Sequence, residues 1–228
     1  MKKKFAVILI LVGIIFISIP KISEFFLLKN NEEVKIDSLS DKDLEKNANS
    51  GEKEFDASKI QAIDVNGVIL NREKADMDKV VGQLVIPSIN MNIAIFDGLQ
   101  NNNLMYGACT MKPDQKMGLG NYAVAGHYFK KDGILFGSLM KVKEGDTIKL
   151  TNKKNIYEYE AVKTRKVKDD RTDLIKDDFV ERVDGKAMVS LMTCYYDEEG
   201  YRYFVFGRFK KLYPYSKEKM LDGITSEQ

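Results

Sequence analysis

The chain has 228 residues with 36 basic and 34 acidic side chains, a formal net charge of +2, one histidine, two cysteines and no tryptophan. Near-neutral charge, with no stripe of basic and aromatic residues, argues that nucleic acid is not a partner. A tetrahedral zinc centre is poorly supported, because it would consume the one histidine, both cysteines and a carboxylate.

Taken in chain order, residues 1–4 form a basic end, with Lys2, Lys3 and Lys4 ahead of an uncharged run from Phe5 to Ile19 and a second apolar cluster from Phe25 to Leu28. The first run alone spans roughly 22 Å at about 1.5 Å per residue, short of a hydrocarbon core of about 30 Å. Snorkelling lysines and the second cluster supply the difference. No small-x-small cleavage site follows the run, so residues 5–28 are expected to be an uncleaved transmembrane anchor. Lysines retained in the cytoplasm put the remainder of the chain outside the cell.

Residues 29–75 are expected to be an extracellular stalk. From Lys29 to about Ser58 the composition is charged and polar, that of a solvated stalk or loose helix unable to bury a core, and a weakly apolar stretch from Ile60 to Leu70 is expected to pack as a helix against the domain. Residues 76–213 change character to short apolar runs separated by Gly, Pro, Asn and Asp. Strands are expected at Val81 to Ile86, Met91 to Phe96, Tyr122 to Ala125, Thr147 to Leu150, Asn155 to Lys163, Ala187 to Cys194 and Tyr201 to Phe206. Helical turns are expected within Asn102 to Tyr106 and Leu135 to Met140. The fold class is therefore mainly β, a barrel or sandwich, with residues 214–228 as a C-terminal tail.

The chemistry centres on the two cysteines and the histidine. A thiol with an ordinary pKa near about 8.5 is only a few per cent thiolate at neutral pH, so a nucleophilic cysteine needs a base or cation beside it. Cys194 ends an apolar strand. The hairpin SLMTCYYDEEGYRYFVFGR, read as a three-residue loop with Gly200 left-handed, sets Tyr196 opposite Arg202 and Cys194 opposite Phe204, with Cys194 and Arg202 on one face as diagonal neighbours. Arg208 has the same parity but lies about 20 Å further along the strand. His127 follows an apolar strand ending in Gly126, a place where a scaffold presents side chains. Thiolate, imidazole and guanidinium together would serve acyl transfer. Against this stand a buried, inert cysteine, a structural histidine, and a Cys109–Cys194 disulfide, the serious rival in an exported protein.

The acidic stretch Asp169, Asp170, Asp173, Asp177 and Asp178 is interspersed with Lys168, Arg171 and Lys176 and lacks the spacing of a calcium loop, so it is expected to be a solvated loop. Met117 to Asn121 is expected to be a turn.

Three motifs together resemble the class A sortases, Gram-positive cell-wall cysteine transpeptidases. NYAVAGHYF resembles the family's strand ending in Ala-Gly-His, SLMTC its Thr-Leu-x-Thr-Cys, and GYRYFVFG the arginine that opens its last strand, while LFGSLMKVKEGDTIKL resembles its Phe-x-x-L…Lys-x-Gly-Asp segment. The resemblance covers about residues 80–212. It implies an eight-stranded sortase-type β-barrel with short helices behind an N-terminal transmembrane helix. It implies His127, Cys194 and Arg202 as catalytic residues, Thr193 as an assisting residue, and Ala125 and Met192 lining the substrate groove, together with the loop at about Lys163 to Lys186. It implies substrates carrying an LPxTG sorting signal, cut between Thr and Gly through a thioester on Cys194, and resolution by lipid II or another peptidoglycan amine nucleophile.

Ser190 departs from the first threonine of the cysteine motif and keeps a hydroxyl. DGLQNNN after Phe96 lacks the acids of the calcium site that some members carry, so no cofactor and no metal is expected. Cys109 matches no motif and reads as a buried small residue. A papain-like hydrolase would place its cysteine before its histidine, the opposite of the order here. A pilin-polymerising or sporulation-linked sortase is the nearer alternative, and the polar ending KEKMLDGITSEQ leans against the pilus type. A non-enzymatic extracellular β-domain is the more distant one.

Overall fold

The structure, a computed structural model, describes residues 2–34, 36–60, 74–182, 185–195 and 198–225. The chain opens with α1 (Lys2–Glu33), a helix that runs through Pro20 and whose apolar part from Phe5 to Ile17 is exposed. Among the described residues one helix, spanning Lys3–Asn30, is long and apolar enough to cross a membrane. After it comes α2 (Asp41–Ala48), started by a capping box in which Ser40 and Asp43 satisfy each other's backbone N–H groups.

Eight strands follow: β1 (Val80–Ile86), β2 (Met91–Phe96), β3 (Gly107–Thr110), β4 (Asn121–Ala125), β5 (Thr147–Thr151), β6 (Asn155–Lys168), β7 (Met188–Cys194) and β8 (Tyr201–Pro214). They close into a barrel in the order β1-β2-β3-β4-β7-β8-β6-β5. Closure removes sheet edges, and alternation sends one side chain in two to the interior. Leu84, Ile93, Ile95, Val124, Ile148, Tyr159, Leu191 and Val205 fill that interior, and Phe136 and Leu139 from the β4–β5 connection pack with them. The Tyr159 hydroxyl, buried with its ring, accepts from the Gly118 N–H at 2.7 Å. Among the described residues two further short α-helices accompany the barrel, α3 (Asn101–Leu104) between β2 and β3, and α4 (Lys217–Leu221) after β8.

The expected strands are all present, with β3 in addition. β6 and β8 are longer than expected, 14 residues each, and pair along their length through two bulges. The expected turn at Asn102 to Tyr106 is α3, and Leu135 to Met140 gives only a 3-10 turn at Leu139–Lys141.

The expectation of a solvated stalk is corrected for the residues before Ile60. Leu44 is 2% exposed and packs with Val80, Phe96 and Leu104, while the Asn47 amide donates to the carbonyls of Met77 and Val80. The Leu99 N–H donates to the Glu54 carbonyl at 2.6 Å, and Lys53 pairs with Asp97 at 2.5 Å. A few well-placed side chains and backbone groups thus fasten a charged segment that has no core of its own. Most of the stretch from Ile60 to Leu70, expected to be helical, lies outside the described residues. The tail likewise docks, with Met220 buried against Val85 and Ile156.

Candidate active site

The site lies where β4 and β7 end side by side. These strands are parallel and in register through Ala125↔Met192. The Gly126 N–H continues the ladder by donating to the Met192 carbonyl at 3.0 Å. Carried two residues on, this register brings His127 level with Cys194. Gly126 is required by packing: a Cβ there would sit 2.6 Å from the Phe136 ring. The His127 carbonyl accepts from the Phe136 N–H at 3.0 Å, which fixes the loop that follows.

The third side chain comes from β8. Cys194 is paired directly with Arg202, and Met192 with Phe204. This corrects the expected hairpin by two residues. Pairing runs on to Tyr195, whose N–H donates to the Tyr201 carbonyl at 3.0 Å, so the connection is longer than a three-residue loop, while the other edge of β8 pairs with β6 through Lys168↔Tyr201. A slip of two preserves parity, so the common face survives and the pair becomes closer, about 4.5–5.5 Å between Cβ atoms instead of about 7–8 Å. Gly200 does have the expected positive φ, +79°. Tyr196 and Asp197 lie outside the described residues.

A cleft of about 600 Å³ opens over this point, and His127, Cys194, Arg202, Thr193, Ala125 and Met192 all line it. Leu99, Leu104 and Met111 form an apolar wall, and Asp169, Glu198 and Glu199 an acidic rim. Ala57 and Ile60 also reach the cleft. Ala57 belongs to no motif, and Ile60 opens the apolar stretch expected to pack without any sign that it would reach this cleft from so remote a segment. A larger cleft of about 870 Å³, around Asp146, Lys149 and Tyr213, holds none of the six. Its buried Lys149 is already engaged by the Lys219 and Asp222 carbonyls.

Both cysteines are free thiols, Cys109 buried and Cys194 exposed, which removes the disulfide alternative. Burial pushes the Cys109 thiol up to about 12, out of nucleophilic use. His127 is 6% exposed, and desolvation lowers it from the ordinary 6.5 to about 4. Arg202 donates to the Tyr201 carbonyl at 3.1 Å and lies 3.7 Å from Asp169. The Thr193 hydroxyl is buried with no hydrogen-bond partner, the one such side-chain atom among the described residues. A buried unpaired hydroxyl costs about 1–3 kcal/mol, and this one lies on the strand face of Val189 and Leu191, opposite that of Cys194.

The acidic stretch is engaged internally. Asp173 pairs with Arg171 at 2.7 Å, and Asp177 with Lys112 at 2.5 Å while also accepting the Asn121 N–H at 2.8 Å. Ser190 donates to the Asn121 side chain at 2.7 Å, and that amide donates to the Leu174 carbonyl at 2.9 Å. The hydroxyl kept at the start of the cysteine motif therefore helps fasten the β6–β7 segment to the barrel.

The histidine shift has a consequence for stability. Below pH 6.5 an unfolded chain binds a proton that the buried ring refuses, so stability is complete above that pH and falls as pH drops toward about 4. The drop from 6.5 to about 4 corresponds to about 3 kcal/mol. Urea unfolding at pH 7 and pH 4.5 should show this loss in the parent chain and not in His127→Gln. Equal pH slopes in the two would contradict the burial argument.

The sequence profile of the family described as Sortase domain matches residues 84–210. The chain belongs to the sortase family. Sortase A of Listeria monocytogenes is 34% identical over 219 residues, 96% of each chain, and Sortase A of Bacillus anthracis is 34% identical over 190 residues, 83% of this chain and 84% of that one. The crystal structure of Listeria monocytogenes sortase A superposes with a TM-score of 0.58 at 34% identity, over 65% of this chain and 99% of that chain. These similarities place this sortase in class A, as a cysteine transpeptidase of the cell wall.

Proposed function

We propose that this sortase cleaves LPxTG-type sorting signals between Thr and Gly and joins the new carboxyl end to an amine of the peptidoglycan precursor, with Cys194 as nucleophile, His127 as proton carrier and Arg202 as oxyanion partner. The observation that carries the reading is the meeting, in one cleft, of an exposed thiol from β7, a guanidinium from β8 and a buried imidazole from the loop after β4. Among the described residues the other thiol is buried.

In this reading the neutral ring takes the Cys194 proton as sulfur attacks the threonine carbonyl. The tetrahedral oxyanion forms beside Arg202 and collapses to a thioester when the imidazolium gives its proton to the departing glycine amine. The acceptor amine then attacks the thioester and loses a proton to the ring, and the thiolate leaves and is reprotonated. Atoms balance without cofactor or metal. The apolar wall of Leu99, Leu104 and Met111 suits the leucine and proline of the signal. α1 spans the membrane with its lysines in the cytoplasm and the barrel outside.

Brief exposure to an LPxTG peptide followed by mass spectrometry should show an acyl adduct on Cys194. A chain that cleaves the peptide while Cys194 stays unmodified under acid quench would refute the thioester. Thr193, whose buried hydroxyl has no partner beside Cys194, is given an assisting role in this reading. Thr193→Val is therefore expected to raise stability by about 1 kcal/mol and lower kcat/KM about tenfold. Thermal unfolding and peptide cleavage read the two effects, and lost stability with unchanged kcat/KM would show a structural role instead.

A further inference from the structure

The end of α1 does more than leave the membrane. Ser23, Leu27 and Asn30 are 0%, 1% and 6% exposed, whereas Phe5 and Ile17 are 63% and 78% exposed. Spacings of four and three put the buried trio on one helix face. That face rests on the loop after His127. Leu27 packs with Ile134 and Leu135, beside Phe129 and Met105. Glu24 pairs with Lys131, and the Asn30 amide reaches the Met105 carbonyl at 3.4 Å. The loop is short and closed, with Phe136 bonded back to His127 and Gly137 to Ile134 at 2.9 Å.

Length agrees with a division of labour. About 20 residues cross a hydrocarbon core, and Lys2 to Lys21, with snorkelling lysines at both ends, supply them. The turns from Ser23 onward then stand at the membrane surface and beyond it. Phe25, on the face away from the domain, is 61% exposed, and Leu28 is 37% exposed, with Lys21 and Lys29 also exposed nearby. An aromatic ring, an aliphatic chain and two lysines are the side chains that settle at a headgroup boundary.

We propose that Ser23 to Asn30 form a mount that seats the barrel on the outer bilayer surface through the His127 to Phe136 loop, in place of a free tether, with Phe25 and Leu28 in the lipid boundary. The cleft then opens one short loop from the lipid. Resting on the spanning role given to α1, this deepens it: an amine acceptor carried on a membrane lipid is met at a fixed height.

Double electron–electron resonance on the full chain in phosphatidylglycerol and phosphatidylcholine vesicles tests the mount without reference to activity. Nitroxides at Lys29→Cys and Glu144→Cys, both exposed, in a Cys194→Ala background with Cys109 buried, should give one narrow distance population. A broad distribution, as from a flexible tether, overturns the mount while leaving the spanning helix intact. Extraction of the chain from the vesicles by alkaline carbonate overturns both. Leu27→Asp combined with Asn30→Ala should lose the narrow population, and its persistence would show that these contacts are not what holds the domain.

Discussion

Replacing Cys194 by alanine is expected to abolish both cleavage of an LPxTG peptide and its transfer to an amine. The loss should be on the order of 10⁴ to 10⁶ in kcat, the scale on which enzymes with covalent intermediates respond to removal of the nucleophile. Cys109 offers no substitute, being fully buried with its thiol pushed up to about 12. Cys194 is exposed, so the variant should fold with an unchanged melting temperature, and lost turnover cannot be blamed on instability. Cys109→Ala is the informative control, expected to lose some stability from the small cavity and to keep its turnover. Chromatographic assay of peptide products, with and without the amine, separates the cases. Sustained turnover by Cys194→Ala would end the nucleophile assignment.

Much of the barrel was readable because its strands carry their own signals: alternation in β6, the apolar run of β7, and turn residues between them. β3 was not readable. Gly-Ala-Cys-Thr is four small residues whose strand character comes from parallel pairing with β2 and two bridges to β4. The second half of β8 was hidden for another reason. Its residues from Arg208 to Lys211 are rich in charge, and they remain extended because the facing strand supplies partners, with Lys210 on Glu160 at 2.6 Å and Lys211 on Glu158 at 3.2 Å. Composition likewise gave no sign that one leucine and one asparagine, Leu44 and Asn47, would pin the charged stretch before the barrel. Burial there depends on the shape of the surface it meets.

The candidate site was more legible than its surroundings, since each of its side chains sits at the end or start of a strand within a short motif. Proximity of His127 to Cys194 was not, because the parallel β4/β7 pairing joins segments more than sixty residues apart. The hairpin reading succeeded for a limited reason. Parity tolerated an error of two residues in register, and an error of one would have placed Arg202 on the other face.

That register carries the second large effect. Arg202→Ala is expected to lower kcat about 10² to 10³-fold, the range for removing a donor to a developing oxyanion. The guanidinium stands opposite Cys194, and Asp169 at 3.7 Å and the Tyr201 carbonyl hold its head near the cleft. Stability should hardly change, because the side chain is 30% exposed and its ion pair is at the surface. Arg202→Lys should recover only part of the rate, since an ammonium keeps the charge and lacks the planar fork. Arg208 is the matched control, of the same parity and on the same strand. It faces Met188, six residues and about 20 Å away, and lies 3.9 Å from Glu160. Arg208→Ala should therefore leave kcat within about twofold and cost at most about 0.5 kcal/mol of stability. Comparing kcat and KM for the two alanine variants decides the matter. A crippled Arg208→Ala beside an active Arg202→Ala would mean that the strand is paired elsewhere and that another cation serves the thiol.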